Sequence, residues 1–137
     1  MTTSQVKSRK ILVIDDEPDV VTYLETLLRD HGYQTVSAGD GEEGLAKARS
    51  EQPDLICLDI TMPQKSGVRF YREARGSAEL KEIPVVVVTG VTGYGGDPAS
   101  FERFLGTRSQ VPPPDAFVPK PINREEFLAA VSELLPE

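Results

Sequence analysis

The chain has 137 residues, of which 39% are hydrophobic, and its formal net charge at pH 7 is −7. This length suits one compact domain with a buried core. No apolar run has transmembrane length and the polar N-terminus lacks the features of a signal peptide, so we expect a cytoplasmic protein. The acidic balance argues against nucleic acid as a direct ligand, because nucleic-acid binding needs a basic face.

The first half of the sequence alternates strand and helix patterns. Pro18 suits the first turn of a helix, and Gly32 is placed to end that helix in a left-handed conformation. Asp40 followed by Glu43 fits a capping box, with Asp in place of Ser or Thr, so a second helix should begin there. The predicted elements are a strand at 10–14, a helix from 18 to 31, a strand at 33–38 and a helix at 40–50.

The second half continues the alternation. Cys57 lies inside an apolar run and is interpreted as a small buried side chain. Asn123, with Glu126 three residues later, marks the start of the last helix. The predicted elements are a strand at 54–59, a helix at 66–75, a strand at 84–89, a short helix at 99–105, a strand at 116–118 and a helix after residue 123.

Most of the predicted strands are continuous apolar runs, which are typical of parallel strands covered by helices on both faces. We therefore expect an α/β fold with a doubly wound parallel sheet. Several runs end in a polar residue, and in such a sheet these ends share the edge where ligands bind. The residues expected to converge there are Asp15, Asp16, Asp59, Thr89 and Lys120.

Three carboxylates at one sheet edge favour a metal site. At about 4–5 Å each pair repels by roughly 4 kcal/mol for an effective dielectric of about 20, and Lys120 supplies only one positive charge. A hard divalent ion with oxygen ligands resolves this repulsion, and Mg²⁺ fits best. The chain has one His and one Cys, so it lacks a zinc ligand set.

A magnesium site beside a hydroxyl and an ammonium indicates phosphoryl transfer. Asp59 would be the nucleophile, and Thr89 and Lys120 would meet the charge on the phosphoryl oxygens. Each residue alone has a plainer interpretation. Asp15 or Asp16 could cap a helix, Thr89 could simply end a strand and Lys120 could be a solvated surface residue. Their joint occurrence, in order and each at a strand end, favours the site.

These residues closely resemble the receiver (phosphoacceptor) domain of bacterial two-component response regulators, of the stand-alone chemotaxis-regulator type. The resemblance covers about residues 9–136, and it implies a flavodoxin-like sheet of five strands in the order 2-1-3-4-5. It divides the chain into a disordered tail at 1–9 and a receiver domain at 10–137. The motifs that carry it are Asp15-Asp16-Glu17-Pro18, Asp59 followed by Met62-Pro63 and Gly67, Thr89, and Lys120-Pro121.

The resemblance also implies roles for individual residues. Asp59 would accept a phosphoryl group from a histidine of a sensor kinase or phosphotransfer protein, and Thr89 and Lys120 would hold that group. Thr89 would also couple to an aromatic residue in the last strand, and the matching residue here is Phe117. Phenylalanine has no hydroxyl, so its outward state has no hydrogen bond to lose. The implied Mg²⁺ ligands are Asp15 (mostly through water), Asp16, Asp59 and the backbone carbonyl of Thr61.

One region departs from the pattern of this family. Residues 90–119 separate Thr89 from Lys120, an atypically extended segment, and Pro114-Asp115-Ala116 replaces the usual Gly-Ala-Asp. The glycines between 90 and 96 do not match the phosphate-loop pattern, because no Gly-Lys-Ser/Thr follows them, so we do not expect this segment to bind a nucleotide. The changes fall on the surface that this family usually uses for output and dimerisation. A homodimer is therefore possible, but the family's usual dimer and partner contacts are not carried over to this chain.

The sequence therefore predicts a stand-alone receiver that signals by phosphorylation-dependent protein–protein binding or passes the phosphoryl group onward. It would not be a conventional enzyme, although it would catalyse its own Mg²⁺-dependent phosphorylation and dephosphorylation. A phosphorylation-independent docking module is the main alternative, and the downstream protein is unknown. A haloacid-dehalogenase-type phosphatase is disfavoured, because Asp59-Ile-Thr-Met-Pro63 lacks the second acid of that motif.

Overall fold

The computed structural model describes residues 9–59, 66–89, 115–119 and 122–135. Within these ranges it holds five strands in one sheet and four helices. The strands are β1 (Lys10–Ile14), β2 (Gln34–Ala38), β3 (Leu55–Asp59), β4 (Val85–Thr89) and β5 (Ala116–Pro119). The helices are α1 (Pro18–Asp30), α2 (Gly41–Glu51), α3 (Ser66–Arg75) and α4 (Arg124–Leu134).

The sheet is parallel throughout, and its strand order is β2-β1-β3-β4-β5. This confirms the predicted fold class and strand order. The chain runs outward from β1 to β2 and then returns past β1 to β3, so the order reverses between β1 and β3. Ligands bind at such a reversal, beyond the carboxyl ends of the strands. The short helix predicted at 99–105 and the extended segment before β5 lie outside the described residues.

Alternate side chains of each central strand enter two separate cores, one on each face of the sheet. Ile11 and Val13 belong to the core beneath α1 and α4, which includes Phe127. Leu12 and Ile14 belong to the core on the other face, beneath α2 and α3. These four side chains, which follow the partly buried Lys10 in β1, are each at most 1% exposed. The continuous apolar runs in the sequence therefore reflect burial on both faces of the sheet.

Two of the predicted helix caps are present. Asp40 Oδ1 accepts a hydrogen bond from the Glu43 backbone N–H at 2.7 Å, and Asn123 Oδ1 accepts from the Glu126 N–H at 2.8 Å. The side chain of Glu43 reaches one residue beyond the cap, because its Oε1 accepts from the Gly39 N–H at 2.8 Å. The start of α2 is thus held by two hydrogen bonds, one from the cap side chain to the first turn and one from the first turn back to the residue before the cap.

The helix ends show one confirmed prediction and one surprise. Gly32 has φ +91°, the left-handed conformation expected after α1. After α2, the left-handed residue is Gln52, with φ +49°. A non-glycine residue at positive φ is uncommon, so no local pattern predicted that Gln52 would end the helix in this conformation.

Cys57 is 1% exposed in β3, as its apolar setting predicted. Burial raises the pKa of its thiol from 9.0 to about 12. The thiolate is the reactive form of cysteine, so at neutral pH Cys57 serves as a packing residue of the core.

Gly44 lets α2 approach the sheet directly below the acidic residues. A Cβ at this position would lie 2.7 Å from Ile14 Cδ1 and 3.4 Å from Phe70 Cδ1. Both neighbours are buried in the core at no more than 1% exposure, so a shift of either would disturb the packing around it. Because Ile14 directly precedes Asp15, this contact helps to fix the point where β1 ends.

We expect Gly44→Ala to destabilise the protein. Overpacking a core costs about 1–3 kcal/mol, which over most of this range outweighs the gain of about 1 kcal/mol from replacing a helical Gly by Ala. Urea unfolding of this variant measures the net change, and Ala46→Gly, at an exposed position of α2, measures the helix propensity alone. A gain in stability for Gly44→Ala would contradict the tight packing of α2.

Candidate functional site

The strand register brings the predicted acids together. Ile14 of β1 lies beside Leu58 of β3, so the next residue of each strand, Asp15 and Asp59, emerges at the same level of the sheet. Asp16 follows at once. One carboxylate oxygen from each of the three acids lies within 4.8 Å of the others. The structure therefore brings these three side chains together at the carboxyl edge of the sheet.

The three acids differ in their surroundings. Asp15 and Asp59 are each 3% exposed, whereas Asp16 is exposed. Asp15 is also bound into the local loop, because its Oδ1 accepts from the Glu17 N–H at 2.9 Å and its own N–H donates to the Ala38 carbonyl at 3.1 Å. This side-chain bond shapes the turn before α1, where Glu17, the residue before the helix, makes no capping bond with its own side chain.

The cluster fits a hard divalent cation. At 4.8 Å, two unit negative charges repel by about 3–4 kcal/mol for an effective dielectric of about 20. Two of the acids lie in the protein interior, where water screens them less. The donor set is carboxylate oxygen, which suits Mg²⁺ or Ca²⁺ and not zinc. Asp16 and Asp59 approach from neighbouring strand ends, so they would hold the ion between β1 and β3.

The other predicted site residues are placed to different degrees. Thr89 ends β4, where its backbone lies beside Pro119 of β5, and its side chain is outside the described part of the structure. Thr61 and Lys120 also lie outside the described residues. Phe117 is half-buried in β5, opposite Val87, and packs against the core beneath α2 and α3.

A groove that the sequence did not suggest adjoins the acids. It has a volume of about 310 Å³ and lies between the start of α1 and the start of α2. Besides Asp15 and Asp16, its polar lining includes Thr22, Ser37 and Glu43. Each of these three residues belongs to a different element, so no local sequence motif predicts the groove. Only the fold brings them beside the acids.

Comparison with known proteins identifies the family. The sequence pattern described as "Response regulator receiver domain" matches residues 11–132. The chain belongs to the response regulator receiver domain family. The match spans the acidic cluster, β1 from its second residue, the other four strands and most of α4.

Two curated relatives differ in how much of their length the receiver occupies. The chain is 34% identical over 128 residues to the alkaline phosphatase synthesis transcriptional regulatory protein PhoP of Bacillus subtilis, covering 93% of this chain and 49% of that protein. It is 32% identical over 126 residues to protein PilH of Pseudomonas aeruginosa, covering 92% of this chain and 97% of that protein. The chain thus spans about half of the first relative and nearly all of the second.

Solved structures agree with the fold. The chemotaxis response regulator CheY4 of Vibrio cholerae superposes with a TM-score of 0.76 at 25% identity, covering 93% of this chain and 99% of that chain. The receiver domain of the sensor histidine kinase PA1611 of Pseudomonas aeruginosa, which has a magnesium ion coordinated in its active-site cleft, superposes with a TM-score of 0.76 at 22% identity, covering 96% and 100%. Among the described helices of this receiver domain, none is both long and apolar enough to cross a membrane.

Repulsion in the acidic cluster predicts a metal-dependent change in stability. In EDTA, Asp59→Asn should raise the melting temperature, because it removes one negative charge from the cluster. A gain of about 1 kcal/mol would correspond to about 4 °C in a domain of this size. Millimolar Mg²⁺ should stabilise the wild type by mass action and the variant much less.

Differential scanning calorimetry with and without Mg²⁺ checks both effects. Glu133→Gln, which removes an exposed acid of α4, is the matched control and should leave the Mg²⁺ response unchanged. An unaltered melting temperature for Asp59→Asn in EDTA, together with no Mg²⁺ response in the wild type, would contradict a metal site.

Proposed function

We propose that this protein is a phosphorylatable receiver module of a two-component phosphorelay, with Asp59 as the phosphoacceptor. The single observation that carries the proposal is the convergence of Asp15, Asp16 and Asp59 at the reversal between β1 and β3. Family membership supports it, since the match covers residues 11–132. A histidine of a sensor kinase or of a phosphotransfer protein would supply the phosphoryl group.

In the proposed reaction, a carboxylate oxygen of Asp59 attacks the phosphorus of a phosphohistidine. The phosphorus–nitrogen bond breaks, and its electron pair stays with the imidazole, which takes up a proton. Asp59 ends the central strand β3 and is 3% exposed, so its carboxylate is held at a fixed place in the sheet edge. Positioning of this kind supplies much of the rate in phosphoryl transfer.

The remaining site residues would bind the ion and the phosphoryl group. Asp16, Asp59 and the carbonyl of Thr61 would hold Mg²⁺ directly and Asp15 mostly through water, and the ion would neutralise charge that develops on the phosphoryl oxygens. The magnesium in the receiver domain of PA1611 supports this choice of metal. Thr89 would donate a hydrogen bond and Lys120 would act as a point charge on the phosphoryl group.

Signalling would follow from a change in packing at Phe117. A hydrogen bond from Thr89 to the new phosphoryl group would draw that threonine toward Asp59, and Phe117 would turn into the vacated space. Thr89 and Phe117 lie on neighbouring strands of the sheet, two positions apart in register, which supports the coupling. Phenylalanine has no hydroxyl, so packing alone would set the balance between the two states.

The output would be a protein–protein contact that depends on phosphorylation. PilH, which this chain matches over 97% of its length, supports a stand-alone receiver, whereas PhoP carries as much again beyond the match. We further propose that residues 1–9 form a tail, that residues 10–137 form the receiver domain, and that the protein works in the cytoplasm. Its downstream partner protein is unknown, and the proposal includes both a monomer and a homodimer. The chain would turn over only its own aspartyl phosphate and so would not be a conventional enzyme.

Incubation with acetyl phosphate and Mg²⁺ tests the proposal. We expect the wild type to gain the mass of one phosphoryl group, Asp59→Asn to gain none, and EDTA to suppress the gain. Intact-mass spectrometry at neutral pH measures it. Glu133→Gln, at an exposed site near the end of α4, should be labelled like the wild type.

The same experiment separates the proposal from the docking-module alternative. A wild type that gains no mass although Mg²⁺ raises its melting temperature would favour a phosphorylation-independent receiver. Labelling that persists in Asp59→Asn would place the phosphoacceptor elsewhere.

A further inference from the structure

Arg75 joins three parts of the fold at the amino-terminal edge of the sheet, opposite the acidic site. It is the last residue of α3, and its side chain is only 7% exposed. One terminal nitrogen of the guanidinium donates to the backbone carbonyls of Lys81 and Ile83, each at 3.0 Å, in the turn before β4. The other donates to Asp115 Oδ2 at 2.9 Å, directly before β5. The guanidinium therefore ties α3 to the start of both strands.

Arg75 also contacts a core residue of its own helix. Its Nε donates to the hydroxyl of Tyr71 at 3.2 Å, and its guanidinium lies 5.1 Å from the centre of the Tyr71 ring. Tyr71 is fully buried, and burial raises the pKa of its phenol, so it stays neutral and accepts this bond at physiological pH. We call Tyr71, Arg75 and Asp115 the Arg75 cluster.

The carboxylate of Asp115 completes the pairing between β4 and β5. Its Oδ2 accepts from the Val85 N–H at 2.8 Å, and the Asp115 N–H donates to the Val85 carbonyl at 2.9 Å. The next pairs in register are Val86 with Ala116 and Val87 with Phe117. The contact between Arg75 and Asp115 thus lies at the first hydrogen-bonded pair between β4 and β5, two residues before Phe117.

Phe117 depends on this cluster in a second way. It lies two residues after Asp115, and side chains two apart along a strand share one face of the sheet. On that face it packs against the core that contains Tyr71 and Val87. Arg75 therefore holds the beginning of the strand that carries Phe117 and also holds Tyr71 in the core against which Phe117 packs.

We infer that Arg75 is a positioning residue for the switch at Phe117: it anchors the start of β5 so that Phe117 has two defined packing states. This inference rests on the proposed function and adds a part remote from Asp59. A planar guanidinium with its several fixed donors makes all of these contacts at once, which an apolar side chain cannot do. Without this guanidinium the start of β5 is held less firmly against β4. The ring of Phe117 then exchanges between its two packing states whether or not Asp59 is phosphorylated.

Hydrogen exchange tests the anchor without any phosphorylation. In Arg75→Met, the amides of β4 and β5 should exchange about tenfold faster than in the wild type, while those of β1–β3 stay unchanged. Arg69→Met is the matched control, because the same change falls on the same helix at a side chain that is 81% exposed. Wild-type exchange rates at β4 and β5 in Arg75→Met would overturn the inference.

Fluorine NMR of protein labelled with fluorophenylalanine tests the coupling, with Phe117→Leu to assign the signal. On treatment with acetyl phosphate and Mg²⁺, the Phe117 signal should shift in the wild type and in Arg69→Met. In Arg75→Met the shift should shrink severalfold, although intact mass shows Asp59 equally phosphorylated. An undiminished shift in Arg75→Met would overturn the inference even if its β5 amides exchange faster.

A second variant covers the case in which Arg75→Met does not fold. Asp115→Asn keeps an oxygen for the Val85 N–H but removes the charge that Arg75 contacts, at a side chain already 36% exposed. It should show the same two changes, and wild-type behaviour in both would overturn the inference. If the wild type itself gains no phosphoryl group, the proposed function fails, while the exchange rates still decide whether Arg75 anchors β5.

Discussion

The arrangement of the site depends on one constraint: the pairing of β1 with β3 forces like charges together. Because Ile14 lies beside Leu58, neither Asp15 nor Asp59 can move away without disturbing a strand that is buried on both faces. The packing of two cores therefore opposes the repulsion of roughly 3–4 kcal/mol per acid pair. An ion that shares the three carboxylates would turn this destabilising contact into a binding site.

Much of the fold could be predicted because its signals are local. Continuous apolar runs marked strands covered on both sides, and Asp40 and Asn123 marked helix starts through bonds that span only three residues. The polar residues after these runs predicted the acid cluster, since parallel strands align their carboxyl ends. The strand order came from the family resemblance, because periodicity does not state which strands are neighbours.

The sequence did not predict contacts between distant segments, or a helix end formed by an unusual residue. The bond between Arg75 and Asp115 joins residues 40 apart, and neither residue type is unusual at its own position. The left-handed Gln52 lacked a signal because glycine is the usual residue there. Thr61 was named from the family resemblance and Lys120 from its place after a strand, so their roles are still predictions, whereas the carboxylates of Asp15, Asp16 and Asp59 lie together in the fold.

The loop bond of Asp15 has a practical consequence for dissecting the cluster. Its Oδ1 helps to shape the turn that leads into α1, so truncating this residue would disturb local conformation as well as the charge balance. Asp16 carries a similar charge at the same edge but is solvent-accessible, so under the proposed function its replacement would alter ion affinity with less damage to the backbone. The two neighbours are chemically alike, yet an engineer who wished to retune ion preference would begin with Asp16.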